Sequence, residues 1–261
     1  MRDTTPTHLA YMDTCGPIPT LLIHGFMLNK TIWGPQYDDL YDTTRIIAPD
    51  LPGHGYSDTA AVMTVANMAQ QCHQLLESLH IDTPLVVGGL SMGGYVALEF
   101  YRQFKEQVAG LILISTRASA DSAAAQAKRN QHITLVKEQG VSALTNELLP
   151  LLLAPESYDT MPELSEALRH ISESTAAAGA IGGLQAMRDR PAALPWLNQI
   201  DIPTLIIHGQ QDQLIALAEA EEMYNNIPTA ELYAIPAAGH MPNLEQAELF
   251  NDLVAEFLDG L

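Results

Sequence analysis

Cysteine is scarce in this chain: there are two, Cys15 and Cys72. Two thiols build no disulfide framework, and no Cys/His cluster carries zinc-ligand spacing, so neither a stapled scaffold nor a metal centre is expected. Basic residues are also few. Lys and Arg number 12 against 31 Asp and Glu, for a formal net charge of −19. A surface of that sign repels nucleic-acid phosphates and anionic lipid, so neither nucleic acid nor a membrane is an expected partner. Long apolar runs are missing too, and no stretch approaches the length of a membrane span. The opening Met1-Arg2-Asp3-Thr4-Thr5-Pro6 lacks the apolar core of a secretory signal, so the expected location is cytoplasmic. Nothing in the pattern sets an oligomeric state.

What is present is a rhythm of short apolar runs and helical patterns. The 261 residues are 47% hydrophobic, enough to bury one large core. Strands are read at Thr20-Leu21-Leu22-Ile23, Arg45-Ile46-Ile47-Ala48, Leu85-Val86-Val87, 108–114, Pro203-Thr204-Leu205-Ile206-Ile207 and Glu231-Leu232-Tyr233-Ala234-Ile235, with an edge strand over 7–12. Between them, helical spacing runs from Thr64, an expected N-cap, to Leu79, from the residue after Ser91 to Phe104, over 217–226 and over 244–258. Strands that are apolar throughout and alternate with helices predict an α/β fold, a mostly parallel sheet covered on both faces. The rhythm breaks over 117–195, where only helical candidates appear, at 122–139, 142–153, 162–178 and 179–188. This reads as a helical cap insertion within a core made of 1–116 and 196–261.

The chain is organised around Gly89-Leu90-Ser91-Met92-Gly93-Gly94. An apolar strand precedes it and a helix follows. Glycines let the backbone fold sharply from one to the other. A serine at that corner is held above the sheet edge, beside the free N–H groups of the helix N-terminus. A hydroxyl is a weak nucleophile unless an imidazole takes its proton and a carboxylate orients that imidazole. In a parallel sheet all carboxyl ends share one edge. The loops carrying Ser91, Asp212 and His240 each follow an apolar strand, so all three are expected there, in the order Ser, Asp, His.

Five marks in order then resemble the α/β-hydrolase fold superfamily: His24-Gly25-Phe26, Asp50-Leu51-Pro52-Gly53-His54-Gly55, the serine elbow, Gly209-x-x-Asp212 and Gly239-His240. Ser91-Met92-Gly93-Gly94-Tyr95-Val96-Ala97 and Ser115-Thr116-Arg117 resemble its carboxylesterase, 3-oxoadipate enol-lactonase and cofactor-free haloperoxidase group. The resemblance implies Ser91 as nucleophile, His240 as base and then acid, and Asp212 as orienter. It also implies an oxyanion hole from the backbone N–H groups of Phe26 and Met92, with no metal or organic cofactor. His24 and His54 read as structural, and His208 precedes the acid loop and so is not the base. Asp50 reads as a loop brace. A serine at the elbow sets aside the dehalogenase and epoxide-hydrolase relatives, which use aspartate there.

The expected partner is a small-molecule ester, with an enol-lactone, perhydrolysis by peroxide, or a non-catalytic hydrolase-like receptor as alternatives. A lactone of that kind is anionic and asks for a cation, for which Arg117, Arg129, Arg188 and Arg190 are candidates, against the competing reading that they pair with surface carboxylates.

Overall fold

The computed structural model describes residues 8–60 and 62–261. One sheet is built from β1 (Tyr11–Asp13), β2 (Ile18–Ile23), β3 (Thr44–Pro49), β4 (Leu85–Leu90), β5 (Val108–Ile114), β6 (Thr204–Gly209) and β7 (Ala230–Ile235). Its spatial order is β1-β3-β2-β4-β5-β6-β7. The short β1 runs antiparallel to β3, and every other neighbouring pair is parallel. The expected edge strand is therefore found at the edge but later in the chain, and Thr7, where it was expected to begin, lies outside the described residues.

The alternation of side chains along a strand sends successive apolar residues to opposite faces. Leu21, Ile23, Val87, Leu111, Leu113 and Ile206 enter one core, with Met68, Val96, Leu98 and Leu184. Leu22, Val86, Leu90, Ile112, Ile114 and Ile207 enter the other, with Trp33, Phe250 and Leu258. That two-sided burial is why these strands are apolar throughout.

The helices are α1 (Gly34–Asp39), α2 (Val65–Ser78), α3 (Met92–Phe104), α4 (Ala123–Gln139), α5 (Val141–Leu148), α6 (Ser157–Thr160), α7 (Pro162–Glu173), α8 (Ala177–Asp189), α9 (Leu217–Asn226), α10 (Pro242–Glu245) and α11 (Ala247–Asp259). Thr64 caps α2 as its residue type predicts, its hydroxyl accepting from Asn67 N at 3.1 Å. Helices α4 to α8 all fall between β5 and β6. None of them is long and apolar enough to cross a membrane, nor is any other helix among the described residues.

Three expected helices are shorter or divided. The one over 142–153 ends at Leu148, and Pro150 sits in a following 3₁₀ turn. The one over 162–178 stops at Glu173, and α8 starts afresh at Ala177. The one over 244–258 is two, because Gln246 takes an extended φ of −134° between α10 and α11. Helix α1 and the 3₁₀ turn before it were not foreseen. The Gly34-Pro35 start hid a helix of only six residues.

The parallel strands deliver their carboxyl ends to one edge in register. Ile23 pairs with Gly89, Leu90 with Ile114, Ile114 with Ile207 and Gly209 with Ile235. The order of strand addition reverses between β2 and β4, since β3 lies on one side of β2 and β4 to β7 on the other, and that is where such sheets open a crevice. There the first turn of α3 lies directly on β2: a Cβ added at Gly93 would stand 2.1 Å from the Ile23 carbonyl oxygen. The backbone cannot give way as a side-chain tip would. Gly93→Ala is expected to destabilise the fold by about 1–3 kcal/mol or more, read from urea unfolding midpoints. A midpoint equal to wild type would contradict this account of the packing.

Candidate active site

Ser91 sits at φ 54°, ψ −113°, on the corner between β4 and α3. A non-glycine residue in that region is strained by about 1–3 kcal/mol and persists only when its surroundings hold it. Here Ser91 N donates to Ile114 O at 2.8 Å, and the Ser91 carbonyl accepts from Thr116 Oγ1 at 2.8 Å and Gly94 N at 2.9 Å. The flanking glycines serve a different need from the one a turn suggests. Gly89 and Gly93 are not among the glycines with positive φ. A Cβ on Gly89 would lie 2.1 Å from Gly93 O, and one on Gly94 would lie 2.4 Å from Thr116 Oγ1. They permit close approach, while the serine itself carries the strain.

Asp212 and His240 meet beside this corner. His240 Nδ1 lies 2.7 Å from Asp212 Oδ2, and both side chains are buried. Asp212 Oδ1 accepts from Leu214 N at 2.8 Å and Ile215 N at 3.0 Å, so the carboxylate is clamped by its own loop. Burial alone would raise its pKa. The charge and hydrogen bond of His240, the Ile215 amide and His208 outweigh this and hold it below the usual carboxylate value. With Nδ1 committed, His240 has Nε2 left for other partners. Ser91 and His240 line one chamber of about 100 Å³, together with Gly25 and Phe26. Among the described residues Ser91 Oγ makes no hydrogen bond, to His240 Nε2 or to any other group, so the structure brings Asp212 and His240 into contact but shows no such bond from the imidazole to the hydroxyl. The backbone N–H groups of Phe26 and Met92 are likewise uncommitted among the described residues, one in the turn after β2 and the other opening α3.

The other three histidines considered from the sequence, His24, His54 and His208, bond to loop backbone. His24 Nδ1 meets Gly25 O at 2.7 Å and its Nε2 accepts from Leu51 N at 2.8 Å. Burial and neighbouring His54 press its pKa down to about 3, so it stays neutral. His54 Nδ1 bonds Pro52 O, and its ring meets Phe26 edge-on. His208 Nε2 lies 2.9 Å from Ile215 O and 3.4 Å from Asp212 Oδ2, behind the acid rather than beside Ser91. Asp50 is fully buried and accepts from Lys30 N, Lys30 Nζ and Tyr56 N, which makes it the loop brace expected of it.

Sequence reading passed over Glu245. This buried carboxylate accepts from Gly239 N at 2.8 Å and Met241 N at 3.4 Å, the two residues flanking His240. It also accepts from Ala154 N and Ser157 Oγ, both at 2.7 Å, in the segment between β5 and β6. His240 N itself donates to Leu152 O at 3.0 Å. Glu245 thus ties the histidine loop to the helical segment. Its available signal was position alone, five residues past His240 in what read as one amphipathic helix.

The arginines divide. Arg188 pairs with Asp189 at the surface, as the competing reading held. Arg190 is buried against Asp121, Met187 O and Ser119 O, and stacks on the Tyr95 ring at 3.9 Å. Arg117 and Arg129 line the Ser91 chamber. A larger cavity of about 460 Å³ adjoins it across Tyr95 and Arg117, with Met63, Ala193 and Trp196 in its wall.

A family model described as alpha/beta hydrolase fold matches residues 19–247. Among solved structures, a thermophilic esterase from Thermogutta terrifontis with malate bound is 36% identical, over 99% of this chain and 96% of that one, with a TM-score of 0.95. An enol-lactonase from Burkholderia xenovorans LB400, 24% identical over 97% of each chain at a TM-score of 0.89, shares the fold. In sequence, 3-oxoadipate enol-lactonase 2 of Acinetobacter baylyi is 28% identical, over 87% of this chain and 83% of that protein. With a family model spanning most of its length and a sheet of matching architecture, the chain belongs to the α/β-hydrolase fold family.

Proposed function

We propose that this chain is a carboxylesterase: a serine hydrolase that cleaves a small carboxylic ester through an acyl-enzyme. The observation that carries the reading is the 2.7 Å contact between His240 Nδ1 and Asp212 Oδ2 at the wall of the chamber onto which Ser91 opens. Ser91 Oγ attacks the ester carbonyl carbon while His240 Nε2 takes the hydroxyl proton. The carbonyl electrons move onto oxygen, and the oxyanion accepts from the N–H groups of Phe26 and Met92. Collapse breaks the C–O bond to the alcohol, which leaves with the proton held by His240. Water then adds to the acyl carbon, losing a proton to His240, and release of the acid restores Ser91. Water is the only co-reactant. Asp212 keeps the imidazole in the tautomer that presents Nε2 and stabilises the imidazolium.

A chamber of about 100 Å³ favours a short acyl group. The segment over 117–195 acts as its cap, since Leu148, Leu149 and Met187 contribute to the wall. A lactone is a second reading, favoured by the likeness to 3-oxoadipate enol-lactonase 2. The same steps apply, with the leaving alcohol tethered to the acyl group.

Ser91→Ala is expected to lower turnover of p-nitrophenyl acetate by about 10⁴-fold or more, and Asp212→Asn by about 10⁴-fold. Wild-type rates in either would contradict the mechanism.

Asp212 also sets a pH dependence of stability. Its folded pKa lies below the unfolded value of about 3.9, so its contribution is complete above that value and is lost as pH falls through the folded one. Between pH 5 and pH 3, urea midpoints are expected to fall more steeply for wild type than for Asp212→Asn. Parallel slopes would remove the linkage.

Glu245→Gln leaves one acceptor oxygen where donors converge on two. The variant is expected to lose about 1–3 kcal/mol of stability. Its kcat should fall by more than its KM rises, because the displaced group is the His240 loop rather than the chamber wall. A stable variant with wild-type kcat would release Glu245 from this role.

A further inference from the structure

We propose that Tyr95 is a partition between the Ser91 chamber and the larger cavity beside it, and that this ring sets the length of the ester chain that can reach Ser91. The inference rests on the reading of Ser91 given above and narrows its substrates to esters with a short chain on the side that meets Tyr95.

Two separate spaces share one wall. The Ser91 chamber holds about 100 Å³ and the neighbouring cavity about 460 Å³. Ser91 and His240 line the smaller space and not the larger. Pockets for small molecules commonly run to about 300–1,000 Å³, so the space of that size is the one without the hydroxyl. Among the described residues, Tyr95 and Arg117 are the two that line both. Tyr95 stands four residues past Ser91, one turn further along α3, and its N–H lies 3.4 Å from the Ser91 carbonyl oxygen.

The ring is held. It is 5% exposed, and the Arg190 guanidinium lies over its face, 3.9 Å from the ring centre. A desolvated cation on an aromatic face is among the stronger contacts of its kind. Arg190 is fixed in turn by Asp121 at 2.7 Å and by Ser119 O at 2.8 Å. Arg117, the other shared wall residue, is bonded to the same buried carboxylate. One anchor thus fixes the wall on both counts.

The lining of the larger cavity says what would enter it. Met63, Val65, Leu98, Ala193 and Trp196 give it apolar walls. Its charged groups already have partners of opposite sign: Glu99 with Arg102, Asp189 with Arg188, and Arg117 and Arg190 with Asp121. A hydrocarbon chain suits such a space better than an ion. Each methylene moved from water onto an apolar wall is worth roughly fourfold in kcat/KM. With the Tyr95 ring in place, a chain attached to the reacting carbonyl gains nothing from those walls.

Two substrate pairs test this. p-Nitrophenyl octanoate against butyrate lengthens the acyl side, and hexyl against ethyl acetate lengthens the alcohol side by as much. Wild type is expected to favour the short member of each pair in kcat/KM. In Tyr95→Ala the long-to-short ratio is expected to rise by about tenfold or more in at least one pair. Tyr95→Phe keeps the ring and is expected to keep the wild-type ratios. Adding Ala193→Phe to Tyr95→Ala refills the larger cavity at a residue that does not line the Ser91 chamber, and is expected to cancel the gain. A merely loosened fold would retain it. Where urea unfolding shows Tyr95→Ala to be unfolded, Tyr95→Leu makes the same test with less volume lost. Wild type that turns over long and short esters alike, ratios unmoved in the Tyr95 variants, or a gain that survives Ala193→Phe would overturn the partition while leaving a Ser91-dependent esterase intact.

Calorimetric titration of octanoate into the Ser91→Ala protein reads the partition without turnover. Binding about tenfold tighter once Tyr95→Ala is added supports it, and equal affinity overturns it. That tightening in a protein that hydrolyses no ester would sink the esterase reading and leave the partition standing.

Discussion

The first turn of α3 is pressed closely onto β2 and onto Thr116 just past the end of β5, and Ser91 sits on that turn at a positive φ. A Cβ at Gly93 would meet the Ile23 carbonyl, one at Gly89 would meet Gly93, and one at Gly94 would meet Thr116. The amide of Ser91 is taken by Ile114 O and its carbonyl by Thr116 Oγ1. The positive φ of 54° is therefore imposed by three neighbouring elements, and the surrounding packing offsets its strain. On that same turn the Met92 amide, uncommitted among the described residues, opens α3, and Ser91 and Phe26 line one chamber.

Buried carboxylates show how partners decide charge in this fold. Asp212 faces an imidazole and two backbone amides, and its pKa goes down. Asp121 faces three guanidiniums and its pKa also goes down. Glu245 is bonded only by neutral donors, three amides and a hydroxyl. Burial then prevails over those bonds and its pKa rises. The first holds the candidate base, the second gathers arginines beside the chamber, and the third links the loop of that base to the helical segment above it. Each works at short range, independent of the acidic exterior.

The sheet was legible because strands buried on both faces leave unbroken apolar runs, and β5 and α9 fall where their sequence patterns put them. The order of loop motifs sufficed to bring Asp212 and His240 to one edge, because parallel strands share a polarity. What periodicity could not reveal depends on contacts between distant segments. Glu245 lies in a pattern that reads as continuous helix, yet its side chain turns back to four donors and the helix breaks at Gln246. Arg117, Arg129, Arg188 and Arg190 are alike in sequence. Only the folded chain separates one at the surface, one in the core and two in the chamber wall. The elbow glycines were legible as necessary but for a different reason, since close approach and positive φ leave the same letter.

On the proposed reading, Ser91 is a nucleophile activated by the Asp212–His240 pair. Intact-mass and peptide-mass spectrometry after exposure to a fluorophosphonate tests this most directly. One covalent adduct is expected, on the peptide containing Ser91, forming far more slowly when His240 is replaced by Asn. An unmodified Ser91, an adduct on another residue, or labelling at the same rate without the imidazole would contradict it.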